Sequence, residues 1–157
     1  MKTMKSLVFA VFLLSFVNSK AQAPKINWMT WEQAIEANKK SPKKILCDVY
    51  TDWCSWCKVM DKKTFGDSAT AVYMNENFYC VKFNAEQREK IKYMGMEFKY
   101  KEEVKTHELA ISLLNSSMSY PSIVFLNEKE QRITTLKGFY EAPAFLQNLK
   151  AIVAFKG

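Results

Sequence analysis

The pair Cys54-Ser55-Trp56-Cys57 follows three residues after Ile45-Leu46-Cys47-Asp48-Val49-Tyr50, a run in which Asp48 is the only polar residue. A short, continuous apolar run predicts a strand buried on both faces. From Cys54 onward the spacing turns helical, with Val59, Met60 and Phe65 on one side until Gly66-Asp67 interrupts it. Two thiols three residues apart therefore stand where a buried strand hands over to a helix. The first turn of a helix carries unpaired N–H groups and a partial positive charge, so this junction constrains both the fold and its chemistry.

The remaining pattern extends the same architecture. Thr30 and Gln33 fit a capping box for a helix from about Trp31 to Lys40, and Ser41-Pro42-Lys43-Lys44 turns the chain into the strand. A helix over about Ser68–Asn77 leads into a strand-like run, Phe78-Tyr79-Cys80-Val81-Lys82-Phe83. Helices alternating with strands predict parallel strands joined by right-handed crossovers. Ile91–Lys101 reads as a surface hairpin turning at Met94-Gly95, with Met96, Phe98 and Tyr100 alternating against Glu97 and Lys99. Thr106 is expected to cap a helix to about Ser116, with His107 exposed in its first turn. Ser119-Tyr120-Pro121 precedes a strand over Ser122–Leu126, a second strand follows over Gln131–Leu136, and Pro143 opens a closing helix to about Phe155.

A C-x-x-C pair supports several chemistries. Disulfide exchange runs by thiolate attack on sulfur through a mixed disulfide, which needs one accessible thiol of low pKa and a second close enough to resolve the intermediate. On this reading Cys54 attacks and Cys57 resolves. Haem attachment would place His after the second Cys, where this chain has Lys58. Structural zinc wants two such pairs, or one pair with two spaced histidines; His107 is the only histidine. An exported copper- or zinc-binding module using the same thiols, and a purely structural bridge, stay open as alternatives. Cys47 and Cys80, each inside apolar sequence, are expected to be free, buried thiols facing different layers if Asp48 and Lys82 share one.

The stretch Asp52-Trp53-Cys54-Ser55-Trp56-Cys57-Lys58 resembles the thioredoxin superfamily, where a W-C-x-x-C-K centre lies between a central strand and a helix. The resemblance runs from about Ile45 to Ala154. It includes exported thioredoxin-like proteins of bacteria, among them the C-terminal domain of periplasmic thiol:disulfide interchange reductases. Asp48 six residues before Cys54, Lys82 in the next strand, Pro121 before a strand, the hairpin after it and Gly138 support it together.

The resemblance implies an α/β fold: a thioredoxin-like three-layer sandwich, its mixed central sheet flanked by helices, with a hairpin inserted before a cis-proline. It implies one domain over 24–157, with the insertion at about 87–106. Asp48 would assist proton movement at Cys57 with Lys82 as its partner, and a desolvated carboxyl in an apolar strand has the raised pKa such a role needs. The alternative places Asp48 at a solvated strand end. Pro121 would be cis, exposing the backbone of Tyr120 to a substrate segment, with Trp53, Trp56 and Tyr120 as an aromatic rim; ordinary core packing is the other reading of the tryptophans. Ser55-Trp56 replaces the Gly-Pro of common thioredoxins, so potential and partner choice do not carry over.

Residues 1–21 have the layout of a signal peptide. Lys2 and Lys5 precede an apolar run, Ser6–Val17, shorter than the roughly 20 residues that span a bilayer, and small-residue cleavage sites follow at 21 and 23. The mature chain is then expected to be periplasmic or secreted, without a stable membrane anchor. Its charge falls from +7 to +4 with the loss of Lys2, Lys5 and Lys20, and no basic run interleaved with aromatics suggests nucleic acid. The expected partners are protein disulfides and a membrane electron-transfer reductant, with no bound cofactor.

Overall fold

A computed structural model describes residues 23–155; the segment read as an export signal lies outside them. The sheet is organised around β2 (Lys44–Tyr50), whose five inner residues are all buried. β2 pairs in parallel with β3 (Phe78–Asn84) and antiparallel with β8 (Ser122–Leu126). β1 (Trp28–Met29) and β9 (Arg132–Lys137) complete a mixed five-stranded sheet in the order β1-β3-β2-β8-β9. The apolar run is continuous because helices cover both faces. Ile45, Cys47 and Val49 pack toward α1 (Trp31–Lys40) and α4 (Glu108–Leu113). Leu46 packs toward α2 (Ser55–Lys63), α3 (Ser68–Asn77) and α5 (Ala142–Ala154). Burying one such aliphatic side chain contributes about 1.5–3 kcal/mol, so both faces of β2 anchor the domain.

Period-two alternation places Asp48 on the face of Leu46, and the β2–β3 register sets Asp48 against Lys82 and Leu46 against Cys80. Cys47 and Cys80 are accordingly free, buried and in opposite core layers, as the sequence predicts. Local signals fix the helix starts. Gln33 N–H donates to Thr30 Oγ1 at 3.2 Å while Thr30 N–H donates to Gln33 Oε1 at 2.9 Å, closing the capping box. Asp67 caps α3 by accepting from Thr70 N–H at 2.8 Å, and proline occupies the first turn of α5. At two residues, β1 is too short to leave a periodic trace in the sequence.

The insertion departs from its sequence reading. It is two hairpins, β4 (Ile91–Tyr93) with β5 (Met96–Phe98), and β6 (Tyr100–Lys101) with β7 (Thr106–His107). The first turns at Met94-Gly95, both at positive φ (50° and 75°) as a two-residue hairpin turn requires. The single alternating hairpin expected to Lys101 ends at Phe98, because Tyr100 leaves to pair with His107. Nor is it purely superficial: Ile91 is buried in the core, and Tyr93 packs edge-on against Trp31 with ring centres 5.1 Å apart. The exposed large apolar residues of this first hairpin are Met94, in the turn, and Met96, at the start of β5.

His107 also corrects an expectation. It is fully buried, and it caps α4 in place of Thr106, whose hydroxyl instead donates to Val104 O at 2.9 Å. The imidazole satisfies both nitrogens locally, Nδ1 accepting from Leu109 N–H at 3.2 Å and Nε2–H donating to Glu89 O at 2.9 Å. Its ring meets Phe83 edge-on at 5.6 Å. Sequence assigns a lone histidine to the surface because Glu89 and Phe83 come from two other segments. Burial holds the His107 pKa below its ordinary 6.5. The unfolded chain therefore takes up the proton first, and stability is lost as pH falls through 6.5. In urea titrations from pH 7.5 to 5, His107→Asn is expected to be less stable than wild type at pH 7.5 and to close that gap on acidification; a constant gap would contradict the neutral, buried assignment.

Candidate active site

Cys54 is the N-cap of α2, its Sγ accepting from Cys57 N–H at 3.1 Å, and no acidic residue occupies the first turn. The two cysteines form a disulfide with Cα atoms 5.3 Å apart. Cys54 N–H donates to Thr51 O at 3.2 Å, which ties the cap to the loop leaving β2. Once the pair is reduced, a thiolate at this cap meets unpaired amides and the positive end of the helix dipole, both of which lower a thiol pKa. Cys54 and Cys57 are both buried, at 5% and 3% exposed, and Met60 of the same helix packs in the core layer on the Leu46 face of the sheet, the face that carries Asp48.

Asp48 is 1% exposed, which excludes the solvated strand end. Its Oδ2 accepts from Lys82 Nζ at 2.6 Å, while Oδ1 has no partner among the described residues. Burial pushes the carboxyl from 3.8 up to about 6 despite the pull of Lys82. For Lys82, burial lowers the pKa, but Asp48 and then Asp61 outweigh it and the ammonium titrates above its ordinary value. Lys82 Nζ also pairs with Asp61 of α2. It lies 5.1, 4.9 and 5.2 Å from the ring centres of Trp28, Tyr50 and Phe65, so three aromatic faces enclose the bridging cation. A cavity of about 420 Å³ lined by Ile26, Trp28, Asp61, Phe65 and Lys82 reaches this cluster. Asp61 was not singled out from sequence, although it lies four residues after Cys57 and so on the same helix stripe.

On the outer side, the Tyr120–Pro121 peptide bond is cis. Trp53 and Trp56 are 65% and 60% exposed, so neither is a core residue. Trp53 meets Tyr120 edge-on at 5.8 Å, and its Nε1–H donates to Glu86 Oε1 at 2.9 Å. Trp56 leans on Phe139 with ring centres 5.5 Å apart. Gly138, at φ +83°, sets Phe139 beside Pro121 and donates its N–H to Pro121 O at 2.8 Å. Glu86 and Phe139 are additions to the residues chosen from sequence. Glu86 is held by a side-chain relay, its N–H donating to Asn84 Oδ1 and Asn84 Nδ2 donating to Asp52 Oδ2, which no local pattern announces. Phe139 follows the glycine that ends β9, a position where a signal was present. Among the described residues, no group of three or more His, Cys, Asp or Glu side chains is arranged to hold a metal ion.

Comparison with known proteins agrees with this geometry. The family model described as Thioredox_DsbH, a protein of unknown function (DUF255), matches residues 13–153. Uncharacterized protein B0495.5 of Caenorhabditis elegans is 35% identical over 74 residues, and spermatogenesis-associated protein 20 of Mus musculus is 31% identical over 74 residues. The matched segment is 46% of this chain but 10% and 9% of theirs, so the chain corresponds to about a tenth of these relatives. Among solved structures, a putative disulphide-isomerase from Bacteroides thetaiotaomicron superposes with a TM-score of 0.60 at 26% identity, over 87% of this chain and all (100%) of that one. A DsbH oxidoreductase gives 0.62 at 15% identity over 85% and 88%, and the oxidised C-terminal domain of Neisseria meningitidis DsbD gives 0.53 at 19% over 79% and 97%. The last two, at such low identity, show the shared fold.

The cluster around Asp48 makes stability depend on pH in a direction opposite to His107. Because the folded chain holds the Asp48 proton to about 6 and the unfolded chain only to about 3.8, stability from this group is lost as pH rises through that window. The displacement corresponds to roughly 3 kcal/mol at 1.36 kcal/mol per tenfold. Asp48→Asn is expected to gain stability over wild type between pH 4 and pH 8 by an amount of that order in chemical denaturation. A pH-independent difference would contradict the buried carboxyl. Asp61→Asn removes a negative neighbour of Asp48 and is expected to move this window toward lower pH.

Proposed function

Because the chain belongs to the Thioredox_DsbH family, DUF255, and closes a Cys54–Cys57 disulfide at a helix start, we propose that it is an exported thiol–disulfide oxidoreductase that reduces protein disulfides. The observation that carries this reading is the thiol pair at the start of α2, together with the buried Asp48 carboxyl, one oxygen of which has no partner among the described residues. In the reduced enzyme the Cys54 thiolate attacks one sulfur of a substrate disulfide. The S–S bond breaks, a mixed disulfide forms on Cys54, and the other substrate sulfur departs as a thiolate that takes up a proton. Cys57 then gives its proton to Asp48, and its thiolate attacks Cys54 Sγ. The remaining substrate sulfur departs with the proton from Asp48, leaving Cys54–Cys57 oxidised by two electrons and the substrate reduced by two electrons and two protons. The electron pair stays on sulfur throughout, so no bound cofactor enters.

Lys82 keeps Asp48 in its place in this reading, and the cis Tyr120–Pro121 loop with Trp53 and Trp56 forms the surface on which a polypeptide lies. The direction follows from what surrounds the thiolate. Strong oxidants stabilise it to the extreme. Here the helix start favours charge, while the apolar surface of Trp56 and the negative charge of Asp48 oppose it, which favours a reductant. Export is supported by Lys2, Lys5 and the apolar run Ser6–Val17. A reductant working outside the cytoplasm needs recharging, and the resemblance to periplasmic interchange reductases points to a membrane electron-transfer protein as donor.

Insulin reduction by Cys54→Ser is expected to fall to background, whereas Cys57→Ser is expected to accumulate mixed disulfides with its substrates. Wild-type turnover by Cys54→Ser would sink the assignment. Stoichiometric copper or zinc in the purified protein, lost with Cys57→Ser, would favour metal binding instead. Equilibration with glutathione buffers is expected to give a potential below about −150 mV; a higher value would reverse the direction.

A further inference from the structure

Among the described residues, the buried threonines and serines are Thr51, Thr64, Thr70, Thr106 and Ser122. Four of these hydroxyls are satisfied. Thr64 donates to Tyr140 O, Thr70 to Asp67 Oδ2 at 2.8 Å, Thr106 to Val104 O at 2.9 Å and Ser122 to Ser119 O at 2.7 Å. Thr51 is the exception: it is 1% exposed, and its Oγ1 has no hydrogen-bond partner among the described residues. A buried hydroxyl without a partner carries its full desolvation penalty, which a valine of the same shape would avoid. The penalty falls beside the disulfide, where breaking and making the S–S bond changes which acceptors are present.

Thr51 is the first residue after β2 and opens the turn that leads to the thiol pair. Asp52 and Trp53 are the central residues of that turn, and Cys54 N–H donates back to Thr51 O at 3.2 Å. The two ends of such a turn lie within about 7 Å of each other, so the Thr51 hydroxyl and the Cys54 sulfur belong to neighbouring points of one short loop. Val49 pairs with Ser122, which sets the exit of β2 next to the cis Tyr120–Pro121 bond. In the oxidised pair the sulfurs are bonded to each other and are weak acceptors. Reduction changes this. Two electrons from a pair of donor thiols break the S–S bond; one of their protons goes to Cys57 and the other to solvent, and Cys54 is left as the thiolate. An ionised acceptor draws a markedly stronger hydrogen bond than a neutral one. Cys57 N–H already meets Cys54 Sγ from the helix at 3.1 Å, and Thr51 stands on the strand side of the same sulfur. Building on the redox reading of Cys54–Cys57, we infer that Thr51 is a further catalytic residue, its hydroxyl unpartnered in the disulfide and donating to the Cys54 thiolate in the reduced protein. The hydroxyl then stabilises the reduced state over the oxidised one. It raises both the thiolate fraction of Cys54 at neutral pH and the potential of the pair.

Thr51→Val keeps the shape and removes the donor, whereas Thr51→Ser keeps the donor and removes the methyl group. The Cys54 pKa is read from the pH dependence of iodoacetamide alkylation of the reduced full-length protein, and the potential from equilibration with glutathione buffers over the same pH range. Thr51→Val is expected to raise the Cys54 pKa by about one unit, a tenfold loss of thiolate, and to lower the potential by about 30 mV, the same factor for a two-electron couple. The potential gap is expected above the Cys54 pKa and to close at acid pH, where Cys54 is a thiol in both proteins; a packing defect would not titrate in this way. Cys57, Asp48 with Lys82, Asp52, Glu86 and Tyr120 also surround the pair and are common to every variant, so their titrations cancel in the comparison. Thr51→Ser is expected to keep the wild-type values, and Thr51→Ala reads the same loss as Thr51→Val should the valine prevent folding. An unchanged Cys54 pKa in Thr51→Val, or a shift in Thr51→Ser as large as in Thr51→Val, would overturn the proposal while leaving the redox reading intact. Failure of the wild-type pair to exchange with glutathione at all would overturn the redox reading and the proposal together.

Discussion

The ion pair between Asp48 and Lys82 is the constraint around which the remaining elements are arranged. A carboxyl carried into the middle of a five-stranded sheet is costly unless a cation meets it, and only the parallel register that sets Asp48 opposite Lys82 provides one. Slipping β3 by one residue would turn Lys82 into the opposite core layer and bring Cys80 with it. The register in turn fixes which side of the sheet α2 covers, since Asp61 reaches Lys82 from that helix. Trp28, Tyr50 and Phe65 close around the ammonium, and the otherwise minor strand β1 brings in the first of them. One buried charge thus ties three strands and a helix to the position of the thiol pair.

The same arrangement separates two kinds of electrostatic control. The N-cap of α2 acts on Cys54 through backbone amides and the helix dipole, which are fixed by the fold and independent of pH. Asp48 acts through a titration that burial has moved to about 6, near the neutral range in which a proton can be taken up and returned. Asp61 links the second control to solvent, because it is partly exposed and shares Lys82. In the proposed reaction a proton is handled at Asp48 while polypeptide lies on the aromatic surface formed by Trp53, Trp56 and Tyr120.

Much of this was legible in the sequence where a local pattern carries the information. The continuous run around Asp48 announced a strand covered on both faces, Thr30 and Gln33 announced a capping box, and the change of spacing at Cys54 announced the helix that receives the thiols. The pairing of Asp48 with Lys82 was implied by the resemblance to the thioredoxin superfamily, and the parallel register of β2 and β3 sets the two opposite each other. What escaped depends on contacts between distant segments. His107 looks like a surface residue until Glu89 and Phe83 are placed around it, and Ile91 looks like part of a surface hairpin until α1 is packed beneath it. Glu86 is recruited to Trp53 through Asn84 and Asp52, a relay across the β2 and β3 loops. Phe139 becomes part of the site only because the cis Tyr120–Pro121 loop and Gly138 meet.

The central proposal is that the two thiols, both buried, are made unequal by their places on α2, with Cys54 at the N-cap the reactive one and Cys57 one turn on the resolving one. Brief alkylation of the reduced protein with iodoacetamide across a range of pH, followed by peptide mass spectrometry, measures that inequality directly. The account predicts label on Cys54 alone at short times, with a pH midpoint moderately below the ordinary thiol value of about 8.5. Equal labelling of both cysteines, or a Cys54 midpoint at or above that value, would contradict it.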